Sequence, residues 1–139
     1  MSSNRDADQQ RETVCNAPLV TEPSERYLNQ RQAVDYRDHR RDLLTWFRDF
    51  GKTPDEGEGY AATTVRPRAY RIDQFYRWVW ERRGGYTTAV TTDDADAYCR
   101  HLIREGESKN HQSNTQKALK SLFKWRSPNR GEAEGDPEI

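Results

Sequence analysis

Apolar residues recur with the 3.6-residue period of a helix in four segments, and no segment sustains the alternation of a strand. The first segment runs from about Ala33 to Phe50. Tyr36, Leu43, Phe47 and Phe50 fall within about 60° of one another on a helical wheel, with Trp46 alongside. Arg37, Arg41 and Arg48 line one flank of that stripe and Asp35, Asp42 and Asp49 the other. Gly51 is placed to stop the helix, and a short turn at Glu25–Arg31, opened by Pro23 and Ser24, precedes it. The second helix is expected from Thr63 or Thr64, either of which can act as N-cap, to Arg83, before Gly84 and Gly85. Pro67 is read as lying within its first turn, and Val65, Ala69, Ile72, Phe75, Tyr76 and Val79 form its stripe.

The third helix starts near Thr92, where Asp93 and Asp94 favour the positive end of the helix dipole. It runs over about 93–105 and buries Ala95, Tyr98, Cys99 and Leu102. The fourth begins after Ser108 and ends before Pro128, with Thr115, Leu119, Leu122, Phe123 and Gln112 inward. Residues 51–62 read as a loop rich in Gly and acids, and the β-prone stretch 86–91 as extended. The pattern defines an all-α fold: four helices in one domain over residues 24–127. Residues 1–23 are expected to be a disordered N-terminal tail and residues 128–139 an acidic linker or tail.

Composition supports a folded domain despite only 32% hydrophobic residues, because aromatics make up 11% of the 139. Aromatics bury the most area per residue and are scarce in disordered chains. No apolar run approaches the roughly 18 residues of a membrane span, and the N-terminus has no apolar signal core. The two cysteines, Cys15 and Cys99, have no zinc-type or redox spacing. The expectation is a cytoplasmic protein with no membrane partner.

Net charge is zero, but it is unevenly distributed. Residues 63–86 carry +4 and residues 100–130 carry +6, whereas 49–60 and 87–99 carry −3 each and 131–139 carry −4. Positive charge thus falls on the helices, and a neutral total hides basic stripes of the kind a nucleic-acid binder needs.

The fourth helix carries the clearest signal. Asn110, Ser113, Lys117, Lys120 and Lys124 share one face opposite the apolar stripe, and no acid occurs between Glu107 and Glu132. A solvated face ordinarily mixes acids with bases. A face of bases and short hydrogen-bond formers suits phosphates and base edges. Lys109 and Asn114 join this set. On the second helix Arg66, Arg68 and Arg71 crowd the N-terminal half beside Thr64, where helix N–H groups already favour anions. Arg71 and Arg82 also flank Trp78, so stacking on its ring is the structural alternative.

His39 reads as a packing residue, and His101 lacks the neighbours of a metal site. His111 lies in the first turn of the basic helix. No catalytic constellation, phosphate loop or metal motif is present, and no cofactor or small-molecule substrate is expected.

Three stretches together resemble a known family: YAATTVRPRAYRIDQFYRWVWERRGGYTT (60–88), TTDDADAYCRHL (91–102) and QKALKSLFKWR (116–126). They are similar to the N-terminal core-binding domain of tyrosine recombinases, most closely archaeal integrases of the phage-integrase family. The likeness spans roughly residues 24–139. It implies a SAM-like four-helix fold forming half of a C-shaped clamp, with the second and fourth helices facing the DNA major groove. The expected partners are therefore double-stranded DNA and, in a synapse, other integrase protomers. The candidate DNA-binding residues, read from the basic faces of those two helices, are Thr64, Arg66, Arg68, Arg71, Lys109, Ser113, Asn114, Lys117, Lys120 and Lys124.

The family's catalytic Arg, Lys, His and Tyr residues belong to a second, C-terminal domain. Here 13 residues follow Arg126 and no tyrosine lies beyond Tyr98, so none of those residues maps onto this sequence. The chain reads as a shortened form, not itself an enzyme, that should not cleave DNA. The alternative is a helical protein-interaction module, or a truncated partner that interferes with a full-length integrase.

Overall fold

A computed structural model describes residues 11–127. Within them the order is a two-stranded hairpin, β1 (Thr13–Val14) and β2 (Ala17–Pro18), then α1 (Glu22–Tyr27), α2 (Gln30–Phe50), a 3-10 turn (Pro54–Glu56), α3 (Ala62–Arg83), α4 (Thr92–Arg104) and α5 (Lys109–Arg126). The four long helices are those the periodicity predicts. Two features revise the four-helix, all-α expectation. The turn near Pro23 is a helix of its own, capped by Thr21, and a short antiparallel hairpin precedes it.

That hairpin also moves the domain boundary. Residues 11–23 are part of the folded unit, not of a disordered tail: Val14, Ala17 and Leu19 are buried in the core. The hairpin turns through Cys15 and Asn16, both at positive φ. The remaining tail assignments, 1–10 and 128–139, lie outside the described residues.

Local signals account for the helix ends. Asn29 and Gln32 form a capping box at the start of α2, and Thr91 and Asp94 form one at the start of α4. Ser108 caps α5 through His111 N–H. For α3 the expectation fails. Neither Thr63 nor Thr64 is the cap; that position is Ala61, whose side chain has no oxygen to offer. Pro67 is then the sixth residue of α3, beyond the first turn, and provides no N–H for the Thr63 carbonyl. Thr63 is exposed, so water can serve that carbonyl.

The core is aromatic. Tyr36, Phe47, Phe75, Tyr76 and Trp80 are fully buried, and Trp80 contacts Tyr27, Tyr36, Tyr76 and Tyr86. α5 packs across α3 and α4, presenting Thr115, Leu119, Leu122 and Phe123 as the wheel requires. Three assignments shift: Phe50, at the last turn of α2, is 44% exposed while Leu44 is buried, and Cys99 and Gln112 are half-buried. The stretch 86–91 forms no strand. It is held instead by Trp80 Nε1–H donating to the Thr87 carbonyl at 2.8 Å.

Two charged residues are buried inside this apolar frame. Arg40 has no exposed surface, and its guanidinium donates to three carbonyls: Leu19 at 2.8 Å, Pro18 at 2.9 Å and Ala69 at 2.7 Å. It thereby ties α2 to the hairpin and to α3. Asp73, also fully buried, accepts from Ser24 Oγ and Thr21 Oγ at 2.6 Å each and from Tyr36 Oη at 2.7 Å. Arg77 adds a fourth donor at 3.2 Å. Burial alone would raise the Asp73 carboxyl, but the Arg40 charge and the hydroxyl donors hold it below its usual value.

His39 packs edge-on to Tyr76 and Trp125, with its Nε2 2.6 Å from the Tyr76 hydroxyl. Burial, reinforced by the Arg126 and Arg40 charges, lowers its pKa to about 4. The sequence assignment of His39 to packing is what the structure displays.

Two outcomes follow for stability. Arg40→Ala removes the side-chain donor shared by three carbonyls and should cost at least about 3 kcal/mol in urea unfolding; a loss below about 1 kcal/mol would detach the hairpin from the cooperative unit. Between pH 6.5 and about 4 the unfolded chain binds a proton at His39 that the folded chain refuses. Stability should therefore fall with decreasing pH across that window, by up to about 1.4 kcal/mol per pH unit. Asp73 should add a further loss only below its ordinary value of 3.8. His39→Gln should flatten the upper window and leave the lower one.

Candidate nucleic-acid interface

The loop after α2 delivers the first side chain of the site. Gly59 lies so close to the last turn of α2 that a Cβ there would sit 1.6 Å from the Arg48 carbonyl oxygen. This close approach lets Tyr60 N–H reach the Phe47 carbonyl at 2.9 Å and packs the Tyr60 ring edge-on to Phe47. The Arg68 guanidinium stacks on that ring at 4.5 Å and donates to Ser121 Oγ at 2.6 Å. Ser121 in turn donates to the Lys117 carbonyl at 3.0 Å. Tyr60, Arg68 and Ser121 thus form a bolt between α3 and α5.

Beside the bolt, α3 and α5 enclose a shallow cleft of about 250 Å³, lined by Thr64, Pro67, Arg68, Arg71, Asn114 and Lys117. Five of the ten residues expected at the site converge there. No acid lines it. Among the described residues, α1, α2, α4 and α5 have side-chain N-caps, whereas α3 has none.

The other five lie elsewhere. Arg66 turns toward the hairpin, stacking on Tyr70 at 5.1 Å and donating to the Asn16 carbonyl at 3.3 Å. Lys120 lines a separate groove between α4 and α5 with Asp96, Cys99, Arg100 and Ile103. Lys109 and Ser113 are exposed, and Lys124 is half-buried toward the C-terminal end of α5. The arginine that stacks on Trp78 is Arg82, at 4.6 Å, which leaves Arg71 free of that role.

Ion pairing divides the surface. The described ion pairs fall on the N-terminal segment, α1, α2 and the C-terminal half of α3: Arg11–Glu25, Arg26–Glu22, Arg37–Asp38, Arg41 with Glu12 and Asp38, Arg48–Asp49, Arg77–Asp73 and Arg83–Asp94. Among the described residues, no cation on the N-terminal half of α3 or on α5 pairs with an acid. The Arg41–Glu12 contact holds the Glu12 carboxyl below its usual value, chiefly through the side-chain hydrogen bond. The Arg71 Nε is covered and has no hydrogen-bond partner, a state that costs about 1–3 kcal/mol for a buried donor.

Burial pushes up the Cys99 thiol and the Tyr98 hydroxyl, and moves Tyr76 to about 12. Among the described residues no group of three His, Cys, Asp or Glu side chains could hold a metal ion, and no helix is long and apolar enough to cross a membrane. Sequence reasoning missed Tyr60 and Ser121: a lone loop tyrosine and a single serine on a helix carry no signal until the helices are packed.

Residues 46–128 match the phage integrase N-terminal SAM-like domain. The chain belongs to that family, the N-terminal domain of tyrosine recombinases, and the match covers α3, α4 and α5 with the last turns of α2. No curated protein matches the chain, and no solved structure does.

Arg68 and the lysines should separate on mutation. Arg68→Ala removes the bolt and should cost about 1–3 kcal/mol of unfolding free energy. Lys117→Ala and Lys124→Ala should each change it by less than about 0.5 kcal/mol. Equal losses at all three positions would mean the lysines are structural.

Proposed function

We propose that this domain is the DNA-binding, core-binding module of a site-specific tyrosine recombinase of the archaeal-integrase kind. It holds duplex DNA against α3 and α5 and contributes affinity and register rather than chemistry. The observation that carries this reading is the partition of charge: the described ion pairs all lie elsewhere, on seven arginines, while no described cation on the N-terminal half of α3 or on α5 pairs with an acid. Leaving Lys117, Lys120 and Lys124 unpaired brings no gain to folding, but each can neutralise a phosphate and release its counterion. The setting is the cytoplasm, with other integrase protomers as further partners. The ten residues from Thr64 to Lys124 named above are the proposed contacts, with Arg68 acting mainly by fixing α3 against α5.

Fluorescence anisotropy on a labelled duplex over a salt series tests this. Each of Lys117→Ala, Lys120→Ala and Lys124→Ala should flatten the log–log salt slope by about 0.9. Replacing Arg37 and Arg41 together should leave it unchanged, because Asp38 and Glu12 already neutralise them. If the arginine pair alters the slope and the lysines do not, the DNA lies on the opposite side. Binding of an acidic protein in preference to duplex would support an interaction module instead.

A further inference from the structure

Arg71 differs from the other arginines around the α3/α5 cleft. Arg68 is committed to Tyr60 and Ser121, and Arg66 is turned toward the hairpin. Arg71 makes no hydrogen bond among the described residues: its Nε is covered and unpartnered, and the residue lines the cleft. Thr64, Asn114 and Lys117 line the same cleft, with no acidic residue among the lining. Thr64 belongs to the uncapped first turn of α3, whose dipole adds positive potential.

A planar guanidinium fork matches two oxygens of an oxyanion at once. A hydroxyl, an amide and an ammonium on the other walls offer donors from further directions, as a tetrahedral group needs. We propose that this cleft is a seat for a single phosphate group, with Arg71 as its anchor and Thr64, Asn114 and Lys117 as the surrounding donors. The source of that phosphate, a DNA backbone linkage, rests on the DNA-binding reading; the seat itself does not. Lys120 and Lys124, outside the cleft, supply salt-screened attraction. Arg71 supplies the fixed contact that sets where the backbone lies across α3 and α5.

The test is a titration of the ¹⁵N-labelled chain with inorganic phosphate at constant ionic strength, following backbone amides and the Arg71 Nε–H signal. The expected result is a saturating shift confined to Thr64, Arg71, Asn114 and Lys117. Arg71→Lys keeps the aliphatic stem and a charge but loses the fork, so it should weaken phosphate about tenfold. Lys52→Ala, at an exposed position in the loop after α2, should leave phosphate binding unchanged. Unshifted signals from α2 and α4 in each variant confirm the fold.

Linear, non-saturating shifts along all of α5 would overturn the seat, as would saturation that Arg71→Lys does not weaken. Adding unlabelled duplex separates the two readings. Displacement of phosphate from the cleft supports both. Saturable phosphate that duplex never displaces keeps the seat and removes DNA as its source. Duplex binding with no saturable phosphate shift removes the seat and keeps the DNA-binding reading.

Discussion

The fold depends on two buried charges, Arg40 and Asp73, that are satisfied mainly by carbonyls and hydroxyls and do not pair with each other. Arg40 gives its guanidinium donors to the carbonyls of Pro18, Leu19 and Ala69. Asp73 takes the hydroxyl protons of Thr21, Ser24 and Tyr36. Tyr36 stands between the two, its ring 5.7 Å from the Arg40 guanidinium carbon and its hydroxyl on Asp73. An uncompensated charge at either position would cost several kcal/mol, so hairpin, α1, α2 and α3 have to be assembled together. The domain is small and its apolar fraction low, and this polar hub specifies one arrangement of helices that an aromatic core alone would leave less defined.

The hub also bears on the surface. Asp73 is the one acid in the first fifteen residues of α3, and it is buried. Several acids of α2 and α4 are engaged with neighbouring arginines or helix caps: Asp38 with Arg41, Asp49 with Arg48, Asp94 with Thr91 and Arg83. The face shared by the N-terminal half of α3 and by α5 is therefore left with cations and short polar side chains. The Tyr60–Arg68–Ser121 bolt holds the two helices at a fixed distance. One arginine is structural so that its neighbours, Arg71 and Lys117, can be presented in a fixed geometry.

Much of this was legible in the sequence. The four long helices followed from apolar periodicity, and the acid-free run after Glu107 marked α5 as a charged face before any packing was known. The inward set Thr115, Leu119, Leu122 and Phe123 came from the wheel alone. What was not legible has a common physical cause. Arg40 and Asp73 occupy stripe positions, four residues after Tyr36 and four after Ala69, yet a charged residue is ordinarily assigned to solvent because burial without partners is prohibitive. Several of their partners, the Pro18 and Leu19 carbonyls and the Thr21 hydroxyl, fall in residues 1–23, which the sequence reads as a disordered tail. The same limit hid Ser121 and Tyr60 and placed Arg68 among the phosphate contacts. Pairing across helices decides those roles, and periodicity says nothing about pairing. The α3 cap failed differently: two threonines stood where a cap was expected, but the chain enters the helix one turn earlier, through Ala61.

The chain's five lysines offer the most direct test of the central claim, that the α3/α5 face is the surface that meets DNA. Four of them, Lys109, Lys117, Lys120 and Lys124, lie on α5, and the fifth, Lys52, is exposed in the loop after α2. Brief acetylation with and without saturating duplex, read by mass spectrometry, compares them within one sample. The account predicts that duplex protects Lys117, Lys120 and Lys124 while Lys52 reacts at its free rate. Protection of Lys52 with the α5 lysines still reactive in the bound state would contradict it.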